Sequence, residues 1–311
     1  MIQGMAKAMR MELRVGMAAV ILVLSGCATG PNIKESADPY GSLYGGKPNI
    51  AHTIESPASS AKEASQRGDE AWRRGNTDLA LYNYVRALEL AGGDADILYK
   101  IGAIHTNGGN LELAQLAYQM ALQSSSDHAG ALEGLGLNLL QRRQQKEAEQ
   151  YLTRAVEVDP ARWRAYNGLG VMADLRKDYR LAATHYAAAL KTRPDSPLLL
   201  NNLGYSNYLA GDLQSAQRNL EFALSKNPQY ERAWMNLGLM HTRRGQYEEA
   251  LNAFRQVMDD AEAWNNVGYL CMMDGKYGPA ESFILQAISL SPNYYANAHE
   301  NLKRVHELRS R

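Results

Sequence analysis

A glycine that returns every 34 residues constrains this chain more than any other feature. Gly68, Gly102, Gly136, Gly170, Gly204 and Gly238 keep that interval, and Gly268 follows 30 residues after the last. A small residue stands twelve positions after each of them: Ala80, Ala114, Ala148, Ala182, Ala216, Ala250 and Ala280. Pro160, Pro194, Pro228 and Pro292 keep the same frame. A period of this size specifies stacked units that bury their apolar faces on one another, not a single globular core. Glycine inside a helix costs about 1 kcal/mol relative to alanine, so seven at one phase need a packing reason. The reason is a second helix that approaches closely where no side chain stands. Tyr84, Tyr118, Leu152, Tyr186, Leu220, Phe254 and Ile284 are the bulky residues at the facing position, and they read as core.

Trp234, Leu237, Gly238, Gly245, Tyr247, Ala250 and Phe254 stand in the order of the tetratricopeptide repeat, and Trp264, Gly268, Gly275, Tyr277, Ala280 and Pro292 repeat it. The resemblance covers about residues 61–294, or seven units. It implies an all-α solenoid, a right-handed superhelix of helix pairs, in which the first (A) helices line a concave groove that holds peptide segments. The expected divisions are 1–26 signal peptide, 27–55 tether, 56–294 repeats and 295–311 a C-terminal capping helix.

Local signals refine this frame. Gly75, Gly109, Gly211, Gly245 and Gly275 close A helices with residues suited to positive φ, while Arg143 and Lys177 replace that glycine in units three and four. Ser56-Pro57 offers an N-cap and a first-turn proline, so the first helix is expected to begin there. Four residues are missing between Gly238 and Gly268, so the second (B) helix of unit six is expected to stop near Met258, with Asp259 or Asp260 capping the next. Tyr295, Ala298, Leu302, Val305 and Leu308 recur at helical spacing and read as the cap that an open array needs.

The N-terminus reads as an export signal. Lys7, Arg10 and Arg14 precede an apolar run, Val15 to Leu24, too short to span a bilayer comfortably. Leu24-Ser25-Gly26-Cys27 resembles a bacterial lipobox, which implies cleavage before a lipid-modified Cys27. Ala28, in place of aspartate, implies sorting to the periplasmic face of the outer membrane. Residues 28–54 are rich in Gly, Pro, Ser and Asn and describe a flexible tether in which Tyr40 and Tyr44 are expected to be solvated. Cleavage leaves 30 basic and 32 acidic residues, a charge of −2, which argues against nucleic-acid partners. Cys271 is the one other cysteine, so no disulfide can staple the mature chain.

No catalytic constellation, metal site or cofactor motif is legible. Gly134-Leu135-Gly136 follows no strand and lacks a third glycine, and the seven histidines keep no metal-ligand spacing. His105, His241 and Cys271 share one repeat position and read as structural. The chain is therefore expected not to be an enzyme. What remains is groove surface: Asn201, Asn202, Tyr205, Tyr208, Met235, Asn236, Leu239, Asn265, Asn266, Tyr269 and Met272, with Leu209 and Met273 nearby. Asparagine amides can hold a peptide backbone, and Tyr and Met give adaptable apolar contact. Units one to four are more mixed there, with Lys62, Asp69, Lys100, Glu133, Arg164 and Asp174.

Asn201-Asn202-Leu203-Gly204-Tyr205, Asn265-Asn266-Val267-Gly268-Tyr269 and Ser291-Pro292-Asn293-Tyr294-Tyr295-Ala296 resemble the TadD lipoproteins of the tight-adherence (Flp pilus) system. That resemblance implies a role in secretin or pilus assembly, with a secretin or another assembly component as partner. The alternatives are a pilotin lipoprotein of type IV pili and a scaffold for peptidoglycan enzymes.

The anchor is testable by itself. Cys27→Ala is expected to abolish acyl labelling and release the protein from membranes in high salt, because the attachment depends on one thiol. A variant that still fractionates with membranes, with no acyl label in either form, identifies the apolar run as the anchor instead.

Overall fold

The computed structural model describes residues 40–44, 56–291 and 295–310. Cys27, the signal segment, the rest of the tether and Pro292 lie outside the described residues. Within them the fold is all-α, with seven helix pairs and a terminal helix. The pairs are α1 (Ala61–Arg73) with α2 (Thr77–Ala91), α3 (Ala95–Asn107) with α4 (Leu111–Ser124), and α5 (Ala129–Gln141) with α6 (Gln145–Val158). They continue with α7 (Trp163–Leu175) and α8 (Tyr179–Thr192), α9 (Pro197–Ala210) and α10 (Leu213–Lys226), then α11 (Glu231–Arg244) and α12 (Tyr247–Phe254). The last pair is α13 (Asp260–Met273) with α14 (Tyr277–Leu290), and α15 (Ala296–Arg309) follows it, burying Ala298 and Val305.

The repeat glycines do what their periodicity requires. A Cβ built on any of the seven would fall less than 3.0 Å from the facing B-helix side chain, which is Tyr84, Tyr118, Leu152, Tyr186, Leu220, Phe254 or Ile284 in turn. The alanines twelve positions on are fully buried at the same contacts. Gly75, Gly109, Gly211, Gly245 and Gly275 close their A helices at positive φ. Arg143 and Lys177 hold the same left-handed geometry at φ 64° and 61°, so the turn survives the loss of its glycine at some cost in backbone strain.

Three expectations are corrected. The first helix begins at Ala61, not at Ser56-Pro57, because Ser60 supplies the cap by accepting from the Glu63 amide at 3.2 Å. In unit six Asp259 is the cap, accepting from Glu262 N at 2.8 Å, but α12 ends at Phe254, a turn earlier than expected. The missing turn is thus taken wholly from the B helix. Finally, Tyr40 and Tyr44 are not solvated: Gly41–Tyr44 forms a 3-10 turn against α2 and α4, and its Leu43 is fully buried.

From unit two onward each A helix touches the A helix of the next unit, and α13 touches α15, whereas successive B helices make no comparable contact. The A helices therefore line the inner side of the array and the B helices its outer side.

Two alanine substitutions separate close approach from helix propensity. Gly238→Ala should destabilise the array by about 1–3 kcal/mol, since the new methyl overlaps the Phe254 ring. Gly278→Ala, with nothing within 4 Å, should be neutral or stabilising by up to about 1 kcal/mol in the same urea titration.

Candidate peptide-binding groove

The inner side of units four to seven is built from α7, α9, α11 and α13. Tyr205 and Tyr208, one turn apart on α9, stack with ring centroids 6.0 Å apart. Burial raises both phenols above their ordinary value. Arg243 of α11 donates from Nη1 to the Tyr208 carbonyl at 2.8 Å and lays its guanidinium over the Tyr208 ring, 5.3 Å from the centroid. Met235, Leu239 and Tyr269 are half-buried along the same side, and Met273 is exposed. Arg243 occupies the register position of Leu209 and Met273, so extending that register by one unit would have found it in the sequence.

Near Tyr205 lies a half-buried polar support. Asp174 of α7 accepts from Tyr186 Oη at 2.8 Å and from Ser206 Oγ at 2.6 Å, tying units four and five together. Burial pushes this carboxyl above the usual carboxylate range despite those two donors.

The asparagines divide into two groups. Asn201 and Asn265 are buried, and so is Met272, which withdraws these three from the expected contact surface. Their amides are used inside the array. Asn236 Nδ2 donates to Asn201 Oδ1 at 2.8 Å, Asn201 Nδ2 to Asn202 Oδ1 at 3.3 Å, and Asn202 Nδ2 to Asn167 Oδ1 at 2.8 Å. This ladder crosses from unit six through five to four. Asn301 of α15 repeats the rung, donating to Asn265 Oδ1 at 3.0 Å. Asn266 is half-buried, with its amide against Met258 Sδ at 2.9 Å. Position along the helix was legible in the sequence; the pairing was not, because it depends on the stagger between neighbouring A helices.

Several charged residues of units one to four are committed internally, while Lys62 is exposed. Lys100 pairs with Asp69 at 2.6 Å, and Tyr84 Oη donates to the same carboxylate at 2.6 Å. Glu133 is buried, accepts from Ala165 N at 3.3 Å, and is pushed up by burial against the pull of Arg162 and Arg164. Among the histidines, His128 meets Asp96 at 2.9 Å, His241 meets Gln246 at 3.0 Å and His306 meets Glu281 at 2.9 Å. Cys271 is fully buried, which pushes its thiol up.

Two tetratricopeptide repeat families match the chain, one over residues 65–129, 133–197, 174–216 and 201–259, the other over 261–294. A search of curated proteins finds no match. Among solved structures, a tetratricopeptide repeat protein from Parabacteroides merdae is 15% identical, with a TM-score of 0.55, over 80% of this chain and 100% of its own. PilF from Pseudomonas aeruginosa is 20% identical, with a TM-score of 0.52, over 79% of this chain and 96% of its own. At these identities both likenesses are of fold.

The amide ladder carries a test of its own. Asn201→Ala removes an acceptor from Asn236 and a donor from Asn202, and should cost about 1–2 kcal/mol in urea unfolding. Asn266→Ala, which gives up only a thioether acceptor, should cost less.

Proposed function

The chain belongs to the tetratricopeptide repeat family, a protein-interaction scaffold, and from that premise we propose that it holds a segment of a partner protein along the inner side of units five to seven. The observation that carries this reading is the concentration of uncharged, half-buried, adaptable side chains there: Tyr205, Tyr208, Met235, Leu239 and Tyr269, with Met273 exposed at the end. Tyr205 and Tyr269 lie two units apart at one repeat position, so a bound segment is gripped at a regular interval. Half-exposed rings on rigid helices lose little entropy on binding, which is why aromatic residues dominate interface energetics. The half-buried Asn202 and Asn236 contribute as a pre-organised polar edge, their amides already oriented by the ladder beneath.

The reading extends to place and partner. The lipobox ending in Cys27 supports attachment to the bacterial envelope, at the periplasmic face of the outer membrane. The likeness of the C-terminal half to the TadD lipoproteins supports a non-enzymatic assembly factor of the tight-adherence system, whose ligand is a segment of the secretin or another pilus-assembly component. Such a factor works by mass action: the lipid keeps scaffold and client in one thin layer, so weak segment contacts suffice.

The test is capture of the host's secretin by the purified chain. Truncating a hot-spot aromatic costs about 2 kcal/mol or more, so Tyr205→Ala with Tyr269→Ala should weaken capture by at least roughly thirtyfold. Helicity and melting temperature should change little. Lys62→Ala, exposed at the other end, should bind as wild type. Loss of capture with the lysine variant but not with the tyrosine pair overturns the assignment, and capture of peptidoglycan hydrolases in place of the secretin redirects it.

A further inference from the structure

The outer side of units one and two carries a feature that the repeat does not explain. Along α2, Leu81 and Val85 are 7% and 0% exposed and extend the apolar surface beyond Leu88, whose repeat position is apolar in every unit. At the repeat position of Val85 the later units present solvent-facing residues: Gln119, Glu221 and Arg255 are exposed, and Leu285 is 47% exposed. A B helix at this phase normally faces water. In unit one it is covered by the Gly41–Tyr44 turn, which touches α2 and α4 and inserts Leu43 into the same core cluster.

The polar contacts match the apolar ones. Leu43 N donates to Tyr40 O at 2.9 Å and closes the turn. Its carbonyl accepts from His105 Nε2 at 2.8 Å, which places the ring proton on that nitrogen. His105 is 2% exposed and its Nδ1 has no partner among the described residues, so the ring's one hydrogen bond there is to this acceptor. His241, at the same repeat position in unit six, bonds within its own unit to Gln246. Tyr40 Oη lies near Gly93 of the loop after α2, where a built Cβ would stand 3.7 Å from it, an ordinary contact.

We propose that α2, α4 and His105 form a second peptide-binding site, on the outer side of the array and separate from the inner groove. Its ligand is a leucine-bearing turn, and its resident ligand is the chain's own Tyr40-Gly41-Ser42-Leu43-Tyr44. Only 11 residues, 45–55, join that turn to Ser56, so the tethered copy is present at an effective concentration on the order of millimolar. The site is accordingly filled in the free protein.

The experiment uses the full chain and a fluorescein-labelled peptide of residues 38–46, read by anisotropy. The wild-type chain should show no binding at micromolar peptide. A Leu43→Asp chain empties its own site and should bind the wild-type peptide one to one. A peptide carrying Asp in place of Leu43 should bind at least about thirtyfold more weakly. Adding His105→Phe to the Leu43→Asp chain should weaken the wild-type peptide about fivefold, the loss of one hydrogen bond. Adding Tyr205→Ala and Tyr269→Ala instead should change nothing. A Leu43→Asp chain of unaltered helicity that fails to bind, or binds both peptides equally, overturns the proposal. So does loss of binding with the tyrosine pair, which would put the peptide in the inner groove. Should Leu43→Asp lower the helicity, Leu43→Ala replaces it under the same criteria.

Discussion

Everything in this array depends on one contact made seven times, an absent Cβ on the A helix against a bulky side chain on the B helix. With the glycine in place, the ring of Tyr84, Tyr118, Tyr186 or Phe254 lies on bare backbone, where any added methyl would overlap it. That contact fixes the separation of the helices within a unit, and the buried alanine twelve positions on fixes it from the other side. Once each pair is rigid, the only remaining freedom is how pairs stack. The A helices take up that role by touching their successors, which leaves the B helices apart on the outer side. The array thus acquires two faces of different character from a single packing rule.

The inner face is divided along its length by what its side chains are already bound to. In the first half most of these charged groups are spent internally: Lys100 on Asp69, Glu133 in a buried position on a backbone amide, Asp174 on Tyr186 and Ser206. A charge committed in this way offers little to a ligand, because any new contact must first break an existing one. In the second half the side chains facing inward are mostly neutral, with Arg243 held against Tyr208, and the asparagine ladder supplies part of their polar backing. Polar satisfaction below and adaptable apolar surface above is the arrangement a peptide groove requires.

How much of this was legible follows from the range of the interactions. The glycine period, the facing bulky residues and the turn glycines with their Arg143 and Lys177 substitutes are set by short-range chemistry and read directly from residue type and spacing, while the cap of α13 was narrowed to Asp259 or Asp260. The asparagines were legible as polar groups on A helices but were assigned to a ligand, whereas Asn201 and Asn265 bond to residues of adjoining helices. Such rungs depend on axial stagger, which a period cannot encode. The first helix start was missed because Ser56-Pro57 has the local chemistry of a helix start, whereas Ser60 supplies the cap by accepting from the Glu63 amide.

The turn at residues 40–44 was missed for a different reason, since its signal was present but lay on the receptor, not on the ligand. Gly41, Ser42 and the tyrosines around them have the composition of a solvated linker, and nothing in five residues distinguishes a docked turn from a free one. The discriminating fact is on α2, where Leu81 and Val85 widen the apolar stripe in a way that a solvent-facing B helix has no use for. Leaving such a stripe exposed would cost roughly 25 cal/mol for every Å² of apolar surface left in water, so a chain that carries it must cover it. Because each unit of a solenoid contacts mainly its neighbours, that cover is felt in units one and two and not at the tyrosines of units five to seven. The outer site and the inner groove therefore lie at opposite ends and on opposite sides of the array, and occupation of one leaves the other free.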